Sequence, residues 1–402
     1  MLLSFLIALA VMFYRRPDAF YASQFWAEEG SVFYSEAYHE GIRSIFYPCV
    51  GYFHLFPRLV ACFATATGLP LQSVPFLFCY AWLFVLLTLL FYTWKRLDFS
   101  QAQRFFISIT VVMIPLQSEV FMNLTNVQWI MAFFPVIIFS AEKYPPGKAW
   151  FIADLVVLLF TGLTGPNFTV LLPALVLLVF LKRRELLSGR RRLFLLVFSL
   201  LLAVISLVAL FQYGSVNRTA GTFTLLNKGF VQQAFVQYAF LFIGKLALRV
   251  PFMLMAISVL LMAAGFFWLA RKIGREKNNT FELLSLCAGL LFLATTFVAY
   301  RNNPALLSPF YRGPRNFYIP AVTFTWLLIR LAAEFRYQKF LLSGLMLLFA
   351  AETVLFVGPL KFQQYDLAGY NEALKTNDML SIPINPAPWS IEIDKTKMSV
   401  KR

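Results

Sequence analysis

Residues 193–213 read LFLLVFSLLLAVISLVALFQY and directly follow the basic triplet Arg190-Arg191-Arg192. This stretch carries no charged side chain and is long enough to cross the hydrocarbon core of a bilayer as a helix. Similar apolar runs, such as Met253–Ala270, recur along the chain and are separated by short basic stretches. The pattern is typical of a protein with many transmembrane helices.

The amino-acid composition indicates the same class. Sixty per cent of the 402 residues are hydrophobic, 13% are charged, and the mean hydropathy is +0.70. Soluble domains carry about 25% charged residues. The formal net charge is +16, but Lys and Arg fall mainly in loops between apolar runs, where membrane orientation explains them. We therefore predict an all-α polytopic membrane protein, surrounded by membrane lipid and with no nucleic-acid partner.

The apolar runs predict about eleven transmembrane helices. Basic clusters lie between the runs, and an even number of predicted spans separates consecutive clusters, so all clusters can lie on the cytoplasmic side. This arrangement predicts an N-terminus in the cytoplasm and a C-terminus on the outer side of the membrane. The predicted spans are 1–14, 75–94, 103–118, 125–140, 149–164, 167–182, 193–213, 251–270, 281–300, 316–333 and 339–360.

Two further segments are predicted to lie in the outer interface without crossing it. Tyr52–Thr67 contains His54, Pro57 and Arg58, and Phe230–Val250 is amphipathic. We predict one membrane domain over 1–402, with residues 15–74 as a periplasmic catalytic loop and residues 361–402 as a periplasmic tail. The proline-rich part of the tail, Ile382–Trp389, is expected to be extended rather than helical.

Two adjacent carboxylates lie in Phe25–Gly30, which reads FWAEEG and follows the first predicted span. Acidic side chains are costly to hold near lipid, so Glu28 and Glu29 are candidate catalytic residues. A carboxylate at the membrane surface can accept the proton of an acceptor hydroxyl. The alternative is a structural role at the N-terminus of a helix over 30–37, where acidic residues are favoured.

A second acidic position lies in the next outer loop, at Glu119, near several amide side chains. Two acidic outer loops can converge to orient an acceptor or to bind a divalent metal. Glu28, Glu29 and Glu119 are therefore candidate metal ligands as well as candidate catalytic residues. The alternative is an ordinary polar loop.

Arginines cluster in the loop 301–315, on the side where the orientation rule predicts few basic residues. Arg binds phosphate with a planar fork of donors, so this loop is a candidate phosphate site. The alternative is that these side chains reach lipid headgroups. The candidate substrate-binding residues are Arg301, Tyr311, Arg312, Arg315, Lys245, Arg249, Trp26, His54 and Arg58, and Arg15 and Arg16 are further candidates for the same surface.

With these residues the chain resembles the C-type (GT-C) integral-membrane glycosyltransferases, which include protein O-mannosyltransferases and bacterial O-antigen-modifying glucosyltransferases. Their shared plan is a first span, an acidic outer loop, interfacial helices and a second span. Here these parts are 1–14, Glu28-Glu29, 30–67 and 75–94. The resemblance implies that Glu28 or Glu29 fills the acidic catalytic position and that Glu119 matches the second acidic loop.

The resemblance also implies a polyprenyl-phosphate-linked sugar as donor and a cell-envelope glycan or lipid as acceptor. It implies a bacterial inner membrane as the location, with transfer on the periplasmic face and a periplasmic C-terminus. A lipid-linked glycan transporter or flippase is an alternative, but such a protein is expected to carry polar groups midway through its spans. An O-antigen polymerase is a second alternative that would also use outer-loop arginines. The family usually has Asp at the acidic position where this chain has Glu. A third alternative is therefore a scaffold or membrane-binding partner without enzymatic activity.

Overall fold

A computed structural model describes residues 1–115, 118–142, 144–214, 265, 267, 271, 279–299, 314–333, 335–357 and 359–397. The described chain is mostly helical, with one small sheet near the C-terminus. The helices are α1 (Leu2–Arg15), α2 (Asp18–Tyr21), α3 (Ser35–Glu40), α4 (Leu55–Ala66), α5 (Val74–Arg96), α6 (Gln101–Met113), α7 (Val127–Met131), α8 (Phe133–Phe139), α9 (Lys148–Gly162), α10 (Asn167–Ser188), α11 (Arg190–Tyr213), α12 (Thr280–Ala299), α13 (Tyr318–Ala332), α14 (Gln338–Glu352) and α15 (Leu367–Thr376).

Three described helices are long and apolar enough to cross a membrane, namely Leu71–Arg96, Arg190–Tyr213 and Gln338–Leu355. Large apolar side chains stay exposed on them, with Phe84 66% exposed and Phe211 83% exposed. Exposed apolar surface on this scale is stable in lipid and not in water. These features are those of a membrane-associated protein.

The prediction of about eleven spans is not met by the described residues. The predicted span 125–140 is divided between α7 and α8, and α10 has a non-helical residue at Lys182. Helix α6 has 13 residues and α9 has 15, which is about 20 Å against a hydrocarbon core of about 30 Å. Apolar runs were counted from sequence as spans, but several form shorter helices that pack inside the protein. The predicted span 251–270 lies outside the described residues, apart from positions 265 and 267.

The helical core is built around α5, α6 and α13. Trp82 of α5 is fully buried and packs edge-on against Phe121, with ring centroids 5.9 Å apart. Tyr318 of α13 donates its hydroxyl to the Val111 carbonyl at 2.6 Å, and Trp326 donates to the Ile107 carbonyl at 2.9 Å. Because buried polar groups must find partners, these bonds fix α13 against α6.

At one end of the helices, two predicted basic clusters share an acidic partner. Arg96, the last residue of α5, and Arg191, near the start of α11, both bind Asp154 of α9. The Arg191 Nη2 to Asp154 Oδ2 distance is 2.9 Å. Trp150 contacts the Arg96 guanidinium, 4.9 Å from the ring centroid. The buried carboxylate therefore joins three helices at this end, which we call the basic end.

A second ion pair lies at the basic end. Arg330 Nε of α13 donates to Glu282 Oε1 of α12 at 2.6 Å. Glu282 lines the same cavity as Arg192 and Asp98, which follow Arg191 and Arg96 closely in sequence. Three of the basic clusters predicted to share one face thus lie close together in space.

Loops and the C-terminal tail cover the opposite end, which we call the loop end. The start of α5 lies here, where Phe78 packs edge-on against Phe25 at 5.9 Å and Cys79 donates to the Met122 carbonyl at 3.1 Å. The loop end therefore brings the first and second loops of the chain together around α5.

The tail ends in an antiparallel hairpin of β1 (Met379–Pro383) and β2 (Ser390–Asp394), with Ile382 opposite Ile391. The proline-rich stretch forms the end of β1 and the turn, and no helix occurs in it, in keeping with the missing N–H of proline. Both isoleucines are fully buried. The hairpin thus uses its apolar face to pack on the protein instead of extending away from it.

Candidate functional site

Glu29 is buried at the loop end, and both of its carboxylate oxygens are occupied. One oxygen accepts the backbone N–H of Trp26 at 2.8 Å, and the other accepts the backbone N–H of Leu124. Burial raises the pKa of Glu29 to about 7, while the two N–H groups and the nearby Arg16 act in the opposite direction. Glu29 therefore ties the first outer loop to the second, and its carboxylate is not free for a substrate.

Glu28 is oriented differently from its neighbour. It is half-buried, and within the described part of the chain its carboxylate makes no hydrogen bond or ion pair. Burial raises the pKa of Cys49 to about 11, and the negative charge of Glu28 is the next contributor. Glu28 also raises the pKa of Tyr52, after the larger effect of burial. Of the two adjacent acids, Glu28 is the one with a free carboxylate facing polar groups.

Ala27 produces the change of direction between Trp26 and the two acids. Its φ is +43°, in the left-handed region that L-residues with a Cβ rarely adopt. A six-residue π-helix, Glu29–Tyr34, follows immediately. The predicted helix over 30–37 is therefore a π-helix followed by α3, and π-helical turns are rare and frequent at functional sites.

Glu119 and Arg315, predicted from separate loops, face each other. The Arg315 Nη1 to Glu119 Oε2 distance is 3.8 Å, and both side chains are about one third exposed. The side-chain amides of Asn123 and Asn126 donate to the Glu119 carbonyl at 2.6 and 2.7 Å. These bonds hold the second loop, and the ion pair places a cation and a carboxylate at an accessible surface.

Tyr52 connects the two halves of this site. It is half-buried, burial raises its pKa, and the charges of Arg315 and Glu28 also act on it, Arg315 lowering the pKa and Glu28 raising it. The Glu29–Leu124 hydrogen bond holds the loop of Glu28 against the loop of Glu119, which faces Arg315, so Glu28, Glu119 and Arg315 lie in one region of the loop end. Tyr52 is not among the residues predicted for the site, although it lies two residues before His54 in the same loop.

His54 and Arg58 lie beneath this region and are both buried. Burial lowers the pKa of His54 to about 3, with a further decrease from Arg58, so the imidazole is neutral. Arg58 Nη1 donates to Glu36 Oε2 at 2.5 Å, while its Nε and Nη2 have no partner among the described residues. His54 packs on Phe33 at 5.0 Å. Their burial makes them supports of the loop rather than exposed ligands.

Three other predicted substrate residues have structural contacts. Arg15 is buried and donates to the Ile114 carbonyl at 2.7 Å, and Arg16 is buried and pairs with Asp18 at 3.2 Å. Trp26 stacks on Phe362 of the tail, with ring centroids 4.8 Å apart. The expectation that Arg15 and Arg16 join an exposed anionic surface is wrong, since neither is accessible. Arg301, Tyr311, Arg312, Lys245 and Arg249 lie outside the described residues.

An apolar groove of about 230 Å³ lies beside the site. Its lining includes Phe84 of α5, Phe56 of α4 and Phe160 of α9. Phe56 donates its backbone N–H to Thr164 Oγ1 at 3.1 Å, and His54 forms a β-bridge with Thr164. One end of the groove therefore adjoins the residues that support the site.

The predicted metal ligands do not gather into a metal site. Among the residues that the structure describes, no group of three or more His, Cys, Asp or Glu side chains could hold a metal ion. Glu29 has both oxygens on backbone N–H groups, and Glu119 faces Arg315.

Comparisons with known proteins identify no relative: no family model matches the chain, and neither a curated protein nor a solved structure matches it. The function must therefore be inferred from the geometry of the loop end. That geometry offers a free carboxylate, an arginine paired with a second carboxylate, and an adjacent apolar groove.

Proposed function

We propose that this protein is a membrane glycosyltransferase that moves a sugar from a polyprenyl-phosphate donor to a glycan or lipid acceptor of the cell envelope. The observation that carries the proposal is that the Glu29–Leu124 hydrogen bond brings the loop of Glu28 against the loop of Glu119, whose carboxylate faces Arg315 at 3.8 Å. Sugar transfer from a phosphate needs a base for the acceptor and a cation for the leaving group, and these residues supply both.

In the proposed reaction the acceptor hydroxyl attacks the anomeric carbon of the sugar. The bond between that carbon and the phosphate oxygen breaks, and the electron pair leaves with the polyprenyl phosphate. Glu28 accepts the hydroxyl proton, since its carboxylate has no other partner among the described residues. Arg315 offsets the charge that develops on the phosphate, and Glu119 orients Arg315 from 3.8 Å.

The apolar groove supports a lipid-linked donor over a soluble nucleotide sugar. Phe84, which lines the groove, is 66% exposed on a helix long enough to cross the membrane. A groove that opens toward lipid can admit a prenyl chain from the bilayer, while its end near Thr164 lies beside the polar site. We assign the prenyl chain to this groove and the phosphate to the Arg315 side.

The proposed location is the inner membrane of a bacterium, crossed several times, with the basic end in the cytoplasm and the loop end in the periplasm. Support comes from the positions of the basic clusters and of the acidic loops. The Asp154 ion pairs gather the basic clusters at one end, and the acidic loops lie at the other. This orientation follows the preference of basic loops for the cytoplasmic side.

The test begins with mass analysis of envelope glycans and lipids from cells with and without the gene. A glycan or lipid that lacks one sugar in cells without the gene would support transfer and would identify the sugar and the acceptor. Purified protein in nanodiscs, given that acceptor and the matching polyprenyl-phosphate sugar, should then form the product, and Glu28→Gln protein should not. A transporter would instead change the side on which the donor is found without forming a glycosidic bond, and this result would refute the proposal.

A further inference from the structure

The acidic loop is held by the C-terminal tail through the backbone of one residue. Asn385 accepts the Ala27 N–H at 2.5 Å through its carbonyl and donates its own N–H to the Phe25 carbonyl at 3.2 Å. Two hydrogen bonds to positions 25 and 27 fix the peptide that contains Ala27. The left-handed φ of Ala27 thus occurs where Asn385 is hydrogen-bonded to the residues before and after Trp26.

The side chain of Asn385 is fully used to hold this backbone in place. Its Oδ1 accepts the Gln363 N–H at 2.9 Å, and its Nδ2 donates to the Gln363 carbonyl at 2.9 Å. Phe362, which precedes Gln363, stacks on Trp26 with ring centroids 4.8 Å apart. The Arg16 guanidinium carbon lies 3.8 Å from the centroid of the Phe362 ring. The tail is therefore anchored on both sides of the acidic loop.

The hairpin also contacts the π-helix, through Gly30, and α3, through Ser35 and His39. Ser35 Oγ donates to the Glu392 carbonyl at 2.8 Å, and the Asp394 N–H donates to His39 Nε2 at 2.9 Å. A Cβ added at Gly30 would come within 2.8 Å of Ile391, so only glycine allows this close approach. The hairpin thus lies against the whole segment from the acidic pair to His39.

We propose that Asn385 is a positioning residue, which keeps Ala27 left-handed and so directs Glu29 inward to Leu124 and Glu28 outward to the site. A left-handed conformation is disfavoured for an L-residue by about 5- to 30-fold in population. Without the clamp, the loop should relax and Glu29 should lose its bond to Leu124. The effect on catalysis rests on the proposed function, but the effect on the loop does not.

Hydrogen exchange measures the loop without any need for activity. The Leu124 N–H is bonded to Glu29, so its protection reports whether Glu29 still points inward. In Asn385→Ala protein, the Leu124 amide should exchange about 5- to 30-fold faster. Asn371→Ala is the matched control, because Asn371 lies in the same tail but accepts the Leu71 N–H at 2.9 Å instead. The control should leave Leu124 protection unchanged.

A second substitution separates positioning from a general loss of stability. Glycine adopts positive φ about as readily as negative φ. Ala27→Gly, added to Asn385→Ala, should therefore restore Leu124 protection and, for an active enzyme, turnover. In the single Asn385→Ala variant, kcat should fall while KM for the donor stays the same, because Arg315 is not moved. If Asn385→Ala does not fold, Asn385→Asp keeps the acceptor for the Gln363 N–H and loses only the donor.

Three results would overturn the proposal. They are unchanged Leu124 protection in Asn385→Ala or Asn385→Asp, equal loss in Asn371→Ala, and no recovery on adding Ala27→Gly. A wild-type protein that transfers no sugar would instead refute the proposed function, while the exchange of the Leu124 amide would still decide the positioning role.

Discussion

The carboxylate of Glu29 accepts a hydrogen bond from the backbone N–H of Leu124, 95 residues further along the chain. The adjacent Glu28 makes no such bond among the described residues. Two side chains of identical chemistry therefore have different roles. Glu29 joins the two loops through this hydrogen bond, and the carboxylate of Glu28 remains available to a ligand.

Substitution of Glu29 should reduce stability. Each carboxylate oxygen of Glu29 accepts one backbone N–H. The side-chain amide of Glu29→Gln has only one oxygen, so one of these two N–H groups loses its acceptor. We expect the free energy of unfolding to fall by about 1–3 kcal/mol, the range for a buried group left without its partner. Denaturant unfolding in detergent micelles measures the change. Glu28→Gln is the matched control, and an equal loss in both variants would show that Glu29 has no special structural role.

Substitution of Glu28 should reduce transfer. Loss of a general base costs about 10²- to 10⁴-fold in rate. We expect the transfer rate of Glu28→Gln to decrease by a factor in this range, while its unfolding midpoint stays near that of the wild type. Steady-state kinetics with the donor and acceptor identified by mass analysis give the rate. Glu40→Gln changes an acid at the end of α3 that is not part of the proposed site, and this variant should transfer at the wild-type rate. Wild-type turnover by Glu28→Gln would remove Glu28 from the mechanism.

Stability should depend on pH with two opposing slopes. The pKa of Glu29 is raised to about 7 in the folded protein, so the folded state holds a proton that the unfolded state loses, and stability falls as pH rises from about 4.5 to 7. The pKa of His54 is lowered to about 3, so the unfolded state binds a proton first, and stability falls as pH drops below about 6.5.

Single variants should reveal each slope in unfolding measurements between pH 4.5 and 7.5. Glu29→Gln removes the decrease in the free energy of unfolding toward neutral pH. The free energy of unfolding of this variant should then rise by about 1 kcal/mol per pH unit up to pH 6.5. His54→Gln should show the reverse trend. If the two variants have the same pH dependence as the wild type, the buried carboxyl and imidazole do not titrate as described.

Arg315 should contribute to donor use and little to folding. Its ion pair with Glu119 is about one third exposed and 3.8 Å long, so its loss should cost less than about 1 kcal/mol. We expect Arg315→Ala to slow transfer strongly and Arg315→Lys to be impaired, because Lys lacks the planar fork. Kinetics over a range of donor concentrations separate binding from turnover. Arg43→Ala is the control, because it removes an exposed arginine from the loop that contains Glu28. An equal decrease in transfer in both variants would indicate non-specific attraction of the anionic donor.

The loop end and the basic end should be accessible from opposite sides of the membrane. Thr67 and Gln72 are exposed near the loop end, and Lys148 is exposed at the start of α9. In protein lacking its native cysteines, Thr67→Cys and Gln72→Cys should react with an impermeant thiol reagent from outside intact cells. Lys148→Cys should react only after the membrane is opened. Reaction of all three from the same side would refute the proposed topology.

Several features were predictable from sequence because they depend on local composition. Apolar runs bounded by basic residues predicted helices, and the described chain is mostly helical with three helices long enough to cross a membrane. The number of spans was not predictable, since hydrophobic periodicity alone does not distinguish a helix that crosses lipid from one buried in the protein interior. The break between α7 and α8 divides one such run, and only packing shows it.

The acidic pair at positions 28 and 29 could be selected from sequence by itself, because two carboxylates beside a membrane span are costly and conspicuous. Which of the two faces inward was decided by tertiary structure. The N–H of Leu124 and the carbonyl of Asn385 come from distant parts of the chain, and the second holds Ala27 in a conformation its own residue type disfavours. Local sequence cannot encode a backbone conformation that is stabilised only by partners brought in by folding.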